Sequence, residues 1–186
     1  MMSMQLITEP VSEPVTLDEA KLFLRIDTTD DDAVLASLVS ASRRLIEQTT
    51  RNCLLPQSWR FGLDRWPSTT LLRLPLAPLL SLTSVTVLDA AGNGIAQNLS
   101  DFIINATSVP PTVRAKAVPL PSGACEGGIQ VEAVFGYGNT AASVPQPLRT
   151  AVLMVVAHFY ETRGLGDGIL PAAVRTLIAP FVRRAL

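Results

Sequence analysis

The single histidine, His158, lies in the run Val155-Val-Ala-His-Phe-Tyr160, three positions before Glu161. A general base needs a nucleophile or an orienting carboxylate within reach, and on a helix Glu161 would sit about one turn away. No Gly-x-Ser-x-Gly elbow accompanies it anywhere in the chain. The spacing therefore favours a packed or interfacial histidine over a catalytic one. One histidine also excludes a multi-His metal site. The two cysteines, Cys53 and Cys125, are too far apart in sequence for a local zinc knuckle and too few for a disulfide framework. The acidic run Asp27-Thr-Thr-Asp-Asp-Asp32 has carboxylates enough for calcium. It lacks the glycine and the distal glutamate of a calcium loop, so it reads as a turn and helix start. Gly136-Tyr-Gly-Asn139 is followed by no lysine and no immediate helix, which excludes a phosphate-binding P-loop. It reads as a turn leaving a strand, and Gly164-Leu-Gly-Asp-Gly168 as a hinge. The residues thus assign no catalytic group, no metal and no cofactor.

Nucleic-acid readout is equally weakly marked. Lys and Arg total 15 against 16 acidic residues, and no basic cluster is longer than the pair Arg183-Arg184. Only 17% of residues are charged and 48% are hydrophobic, against about 25% charged in an ordinary soluble domain. The chain is too apolar for disorder. Its longest apolar stretch, 151–157, is about a third of a bilayer span, and no secretory signal opens it. A sparse charge complement on 186 residues points to surface covered by other protein, hence to an assembly protein and not an enzyme.

The elements behind these residues follow from periodicity. Residues 1–14, with Pro10 and Pro14, read as an extended arm. Thr16-x-x-Glu19 is a capping box that opens a short helix ending near Arg25. Val34, Leu35, Leu38, Val39, Leu45, Ile46 and Thr49 then recur at helical steps as far as Arg51-Asn52, with Arg43, Arg44, Glu47 and Gln48 off the stripe. Strand alternation follows at Trp59, Phe61 and Leu63. Short strands are expected at 72–74, 84–88, 102–104, 113–115 and 129–135, with a hairpin tip at 90–94. Helix returns at Pro145 or Pro147, with Leu148, Val152, Val155, Val156, Phe159 and Tyr160 on one face. A last helix starts at Pro171, with Val174, Leu177, Ile178 and Phe181 inward, and Pro180 should kink or end it.

The expected fold is α+β: a helical bundle from the N- and C-terminal helices, with a small antiparallel β-domain inserted. Its parts are an arm at 1–14, a discontinuous helical domain at 15–52 and 145–186, and a β-rich insert at 53–144. Net charge runs from −5 over residues 1–50 through +1 over 51–144 to +3 over 145–186. Acidic start and basic end could meet within one molecule or between neighbours in a head-to-tail ring.

The stretch Pro14-Val-Thr-Leu-Asp-Glu-Ala-Lys-Leu-Phe-Leu-Arg25, then Asp31-Asp32, Ala41-Ser-Arg-Arg-Leu-Ile-Glu47, Thr50-Arg51, Leu55-Pro-Gln57, Trp59, Leu63-Asp64, Trp66-Pro67 and Leu74-Pro75-x-x-Pro78, resembles the head–tail connector (adaptor) proteins of long-tailed bacteriophages and gene transfer agents. The late helix, Val144-Pro-Gln-Pro-Leu-Arg149 through Tyr160-Glu-Thr-Arg163, fits the same family. The resemblance implies a structural protein of a virion or virus-like particle neck, made in a bacterial cytoplasm. It implies a ring of copies, usually twelve, docked on the portal protein, with a stopper or tail-terminator protein beneath it. DNA would pass through the lumen without sequence-specific contacts, and no membrane is involved. By position, the resemblance gives portal binding to Ile178, Phe181, Val182, Arg183, Arg184 and Leu186, in a tail expected to order on docking. Two alternatives stand beside it. One is a stopper or tail-completion protein, against which the helical framing argues because stoppers are β-dominant. The other is a small hydrolase or ligand-binding module using the β-insert with Asp64, Asp101 or His158.

Overall fold

The computed structural model describes residues 2–117, 127–162 and 170–183. It is mixed α+β, with four α-helices and two antiparallel sheets among the described residues. The chain divides into two compact units. A β unit comprises 1–10 and 56–136, and a helical unit comprises 11–55 and 137–186.

In the helical unit, α1 (Leu17–Leu24) begins at the capping box expected from sequence. The Glu19 N–H donates to the Thr16 hydroxyl (3.1 Å), and the Thr16 N–H donates to the Glu19 carboxylate (2.8 Å). It ends at Arg25 in the left-handed conformation, φ 59°. Helix α2 (Asp32–Thr50) follows, then α3 (Gln146–Thr162), α4 (Ala172–Ile178) and a 3-10 turn (Ala179–Phe181). Pro180 therefore stops α4 by tightening its last turn. The core is aliphatic: Leu35, Val39 and Ile46 of α2 meet Leu148, Val152, Val155 and Val156 of α3, closed by Val174 and Ile178 of α4.

One expectation fails on α2. Arg43, placed off the apolar stripe by periodicity, is 3% exposed. Val34, placed on the stripe, is 51% exposed. The buried face runs Leu35, Val39, Ser42, Arg43, Ile46 and Thr50. A guanidinium is tolerated there because it is ion-paired: Nε to Glu13 (2.7 Å) and Nη1 to Glu47 (2.8 Å). Burial works against its charge, but these two carboxylates outweigh that and raise its pKa further. The second Glu47 oxygen accepts the Leu54 N–H (2.8 Å), which fixes the chain as it leaves α2.

The β unit holds a five-stranded sheet in the order β1 (Met2–Thr8), β2 (Gln57–Leu63), β8 (Ile129–Phe135), β4 (Leu79–Leu88), β5 (Gly94–Ala96). A second sheet runs β3 (Leu71–Arg73), β7 (Thr112–Ala115), β6 (Phe102–Asn105). The segment read as an arm is extended, but from Met2 to Thr8 it is paired with β2, Met2 opposite Leu63. Ile129, Val131, Ala133 and Phe135 of β8 are all buried, as alternation demands. Phe135 meets Phe61 edge-on at 5.7 Å. On the other face, Arg60 of β2 pairs with Glu132 of β8 (2.6 Å), which also accepts from Ser84 of β4 (3.2 Å). The expected hairpin tip joins β4 to β5. Asp89 accepts the N–H groups of Ala91 (2.9 Å) and Asn93 (2.8 Å), and Gly92 takes φ 84°.

Candidate assembly interface

The C-terminal residues given to portal binding divide once placed. Ile178 is 1% exposed in the helical unit's own core and offers no surface to a partner. Its helical spacing from Val174 already points it inward. Phe181 packs against the same core in the 3-10 turn. Val182 is 42% exposed. The expectation of a tail ordered only on docking does not hold through Arg183. Thr50 O accepts the Arg183 N–H (3.1 Å), and Asn52 Oδ1 accepts from Arg183 Nε (2.6 Å). Asn52 Nδ2 in turn donates to Phe181 O (2.7 Å). Arg184 and Leu186 lie outside the described residues, as do Cys125 and the hinge at 164–168.

Asn52 is the residue that sequence reasoning missed. It is 1% exposed just beyond the left-handed Arg51 that ends α2. Polarity after a helix is the only local sign it gives, because its partners lie far along the chain. Tyr137 belongs to the same region. Burial raises its pKa, with the Arg183 charge acting the other way.

The acidic and basic ends do meet within one molecule at α1. Arg149 of α3 pairs with Glu19 and donates from Nε to Pro14 O (2.9 Å). The hydrogen bond from the Thr16 N–H, then Arg149, hold the Glu19 pKa below its usual value against partial desolvation. The acidic run behaves as a helix start. Lys21 pairs with Asp32 (2.7 Å), and Tyr160 donates to Asp31 (2.5 Å), while Asp27 and Asp30 are exposed. His158 is half-buried on α3 with its ring beside Phe159. Asp64 accepts the Gly127 N–H (2.9 Å) within the β unit. Asp101 lies in a 3-10 turn (Leu99–Asp101) whose carbonyl accepts from Lys116 (2.8 Å). Gly136 to Gly138 form the way out of β8. Among the described residues no helix is long and apolar enough to cross a membrane.

What this unit does present is apolar relief. Leu22 and Phe23 near the end of α1 are 81% and 46% exposed. A groove of about 560 Å³ is lined by Ser37, Ser40, Ala41, Arg44, Leu45 and Gln48 of α2 with Phe159 of α3. Such surface suits packing against protein better than binding a small molecule.

Comparison with known proteins agrees with that character. Residues 14–69, which take in α1, α2 and β2, match the family of phage gp6-like head–tail connector proteins. No curated protein matches. Among solved structures, a chain from the neck of an empty gene transfer agent particle, determined with C6 symmetry, superposes with a TM-score of 0.85 at 25% identity, covering 99% of this chain and 97% of that one. A chain from the native gene transfer agent virion gives 0.81 at 24% identity, covering 98% and 96%. A chain from the native neck, with C12 symmetry, gives 0.76 at 24% identity over 98% and 97%. By sequence over residues 14–69 and by fold over nearly its whole length, the chain is similar to the head–tail connectors of phages and the neck proteins of gene transfer agents.

Proposed function

We propose that the chain is a structural head–tail connector in the neck of a phage or gene-transfer-agent particle. Copies form a ring, twelve in number, between the portal protein and the stopper or tail-terminator. The ring continues the channel through which DNA passes, and the chain performs no reaction. The observation that supports this best is the near-complete overlap in fold with neck chains, together with the connector-family match over residues 14–69.

The C-terminal segment is the portal contact in this reading. Val182, Arg183, Arg184 and Leu186 carry it. Phe181 anchors it from within, and Ile178 serves the fold. The Asn52 clasp holds Phe181 to Arg183 in place, so docking of these residues loses less chain entropy than it would for a free tail.

The test is to mix the purified chain with isolated portal rings and weigh the product, alongside imaging of tagged particles. Twelve copies per portal, and the tag at the neck, are the expected results. No portal complex, together with a neck lacking the chain, would overturn the proposal.

A further inference from the structure

One end of the helical unit gathers arginines and no acid. Segments 48–55, 137–150 and 171–183 meet there, and they contain Arg51, Arg149, Arg175 and Arg183 but not one Asp or Glu. Arg149 is paired with Glu19. Arg51 and Arg175 are exposed, and among the described residues neither has a partner. Arg183 is half-buried, and its side-chain partners are neutral: Asn52 Oδ1 accepts from Nε, and the Tyr137 hydroxyl is hydrogen-bonded to it. The nearest acid along α2, Glu47, is taken by Arg43 and the Leu54 N–H. The C-termini of α2 and α4 offer only about half a negative charge each against these arginines.

Apolar relief accompanies the charge. A cavity of about 360 Å³ is lined by Thr49, Arg175, Ile178, Ala179 and Val182. A second, of about 670 Å³, takes in Pro147, Leu177, Pro180 and Phe181. The charge calls for an anion, and the apolar walls call for side chains. A phosphate backbone answers only the first, whereas an acidic peptide segment answers both. The chain's own acidic turn is a poor source. Asp27 and Asp30 have exposed Arg25 beside them, and Asp31 and Asp32 are bound to Tyr160 and Lys21. A different protein is the better source.

We propose that this end of the helical unit seats an acidic segment of the portal protein. Carboxylates of that segment pair with Arg51, Arg175 and Arg183, and one of its apolar side chains fills the cavity between Thr49 and Val182. Asn52 already holds the Arg183 guanidinium by its Nε, so less freedom is lost when a carboxylate arrives. This rests on the connector reading above and gives the chemistry of the portal surface that meets the chain.

Affinity for isolated portal rings is measured for the full chain and for the double variant Arg51→Glu with Arg175→Glu. Both side chains are exposed and unpaired among the described residues, so folding is spared, which circular dichroism checks. The double variant should bind about tenfold more weakly or worse. The parent's affinity should fall as salt rises. Arg25→Glu, an equal charge change at the end of α1, should leave it unchanged. A short duplex DNA is the second probe, and sedimentation of the chain alone is the third measurement. If the double variant loses DNA binding or self-association but keeps its portal affinity, the proposal is overturned in favour of phosphate or of a second copy. Full portal affinity with no other loss would overturn it too and leave the connector reading standing. No portal binding by the parent chain would count against both.

Discussion

Arg43 is a charge placed on the buried face of α2, and its neighbours decide whether that is tolerable. With Nε on Glu13 and Nη1 on Glu47, both near 2.8 Å, it is satisfied. Removing it takes from Glu47, only 11% exposed at its side chain, the ion pair with Arg43, and from Glu13 its pair as well. Arg43→Ala should therefore cost about 3 kcal/mol in urea unfolding. Arg43→Met combined with Glu47→Gln should cost less than Arg43→Met alone, because the amide still accepts the Leu54 N–H without carrying a charge. Periodicity could not show this: a stripe read from apolar letters excludes an arginine by construction, and Glu13 lies 30 positions away. Glu19, in contrast, was readable from Thr16-x-x-Glu19, since a capping box is local in sequence. Its folded pKa lies below the ordinary 4.5. A depressed carboxylate contributes stability fully at pH above its unfolded value and loses it as pH falls through the folded one. Glu19→Gln should thus destabilise by about 0.5–1 kcal/mol at neutral pH. The gap from the parent chain should close as pH drops below 4.5. A gap that widens in acid would contradict the assignment.

At the scale of elements, what could be read from sequence depended on whether a segment carries its own pattern. Strand β8 alternates cleanly and was legible. Strand β1, Met2–Thr8, alternates Met2, Met4 and Leu6 with Ser3 and Gln5 only briefly and is half-exposed or exposed throughout, so its pairing with β2 is what reveals it. Strand β5 has three exposed residues and is defined by the hairpin that returns to β4. The C-terminal clasp is hidden for the same reason: Asn52 and Arg183 are separated by 131 positions. Because Asn52 is buried and bridges Phe181 and Arg183, Asn52→Ala should cost about 1–3 kcal/mol. The loss should be local. Amide exchange should accelerate at 179–183 while the α2–α3 core keeps its protection. A uniform loss across α2 and α3 would show that Asn52 supports the core instead. Removing 184–186 spares the clasp, so it should leave stability unchanged and lower portal attachment.

At the scale of the whole chain, the question is whether the β unit is an insertion or a foundation. The backbone leaves the helical unit after Leu55 and re-enters at Tyr137. Those ends are adjacent, for Leu54 O accepts the Tyr137 N–H at 3.3 Å. The helical core, from Val15 to Ile178, draws only on residues of the helical unit. A chain joining 11–55 directly to 137–186 through a short Gly-Ser linker should therefore keep its helical circular dichroism and unfold in one cooperative transition. Loop closure across so short a gap adds little entropy cost. The reciprocal fragment, 56–136 without 1–10, should do worse, because loss of β1 bares the edge of β2 and invites aggregation. If the excised helical chain gave no transition, the β unit would be required for the helical fold.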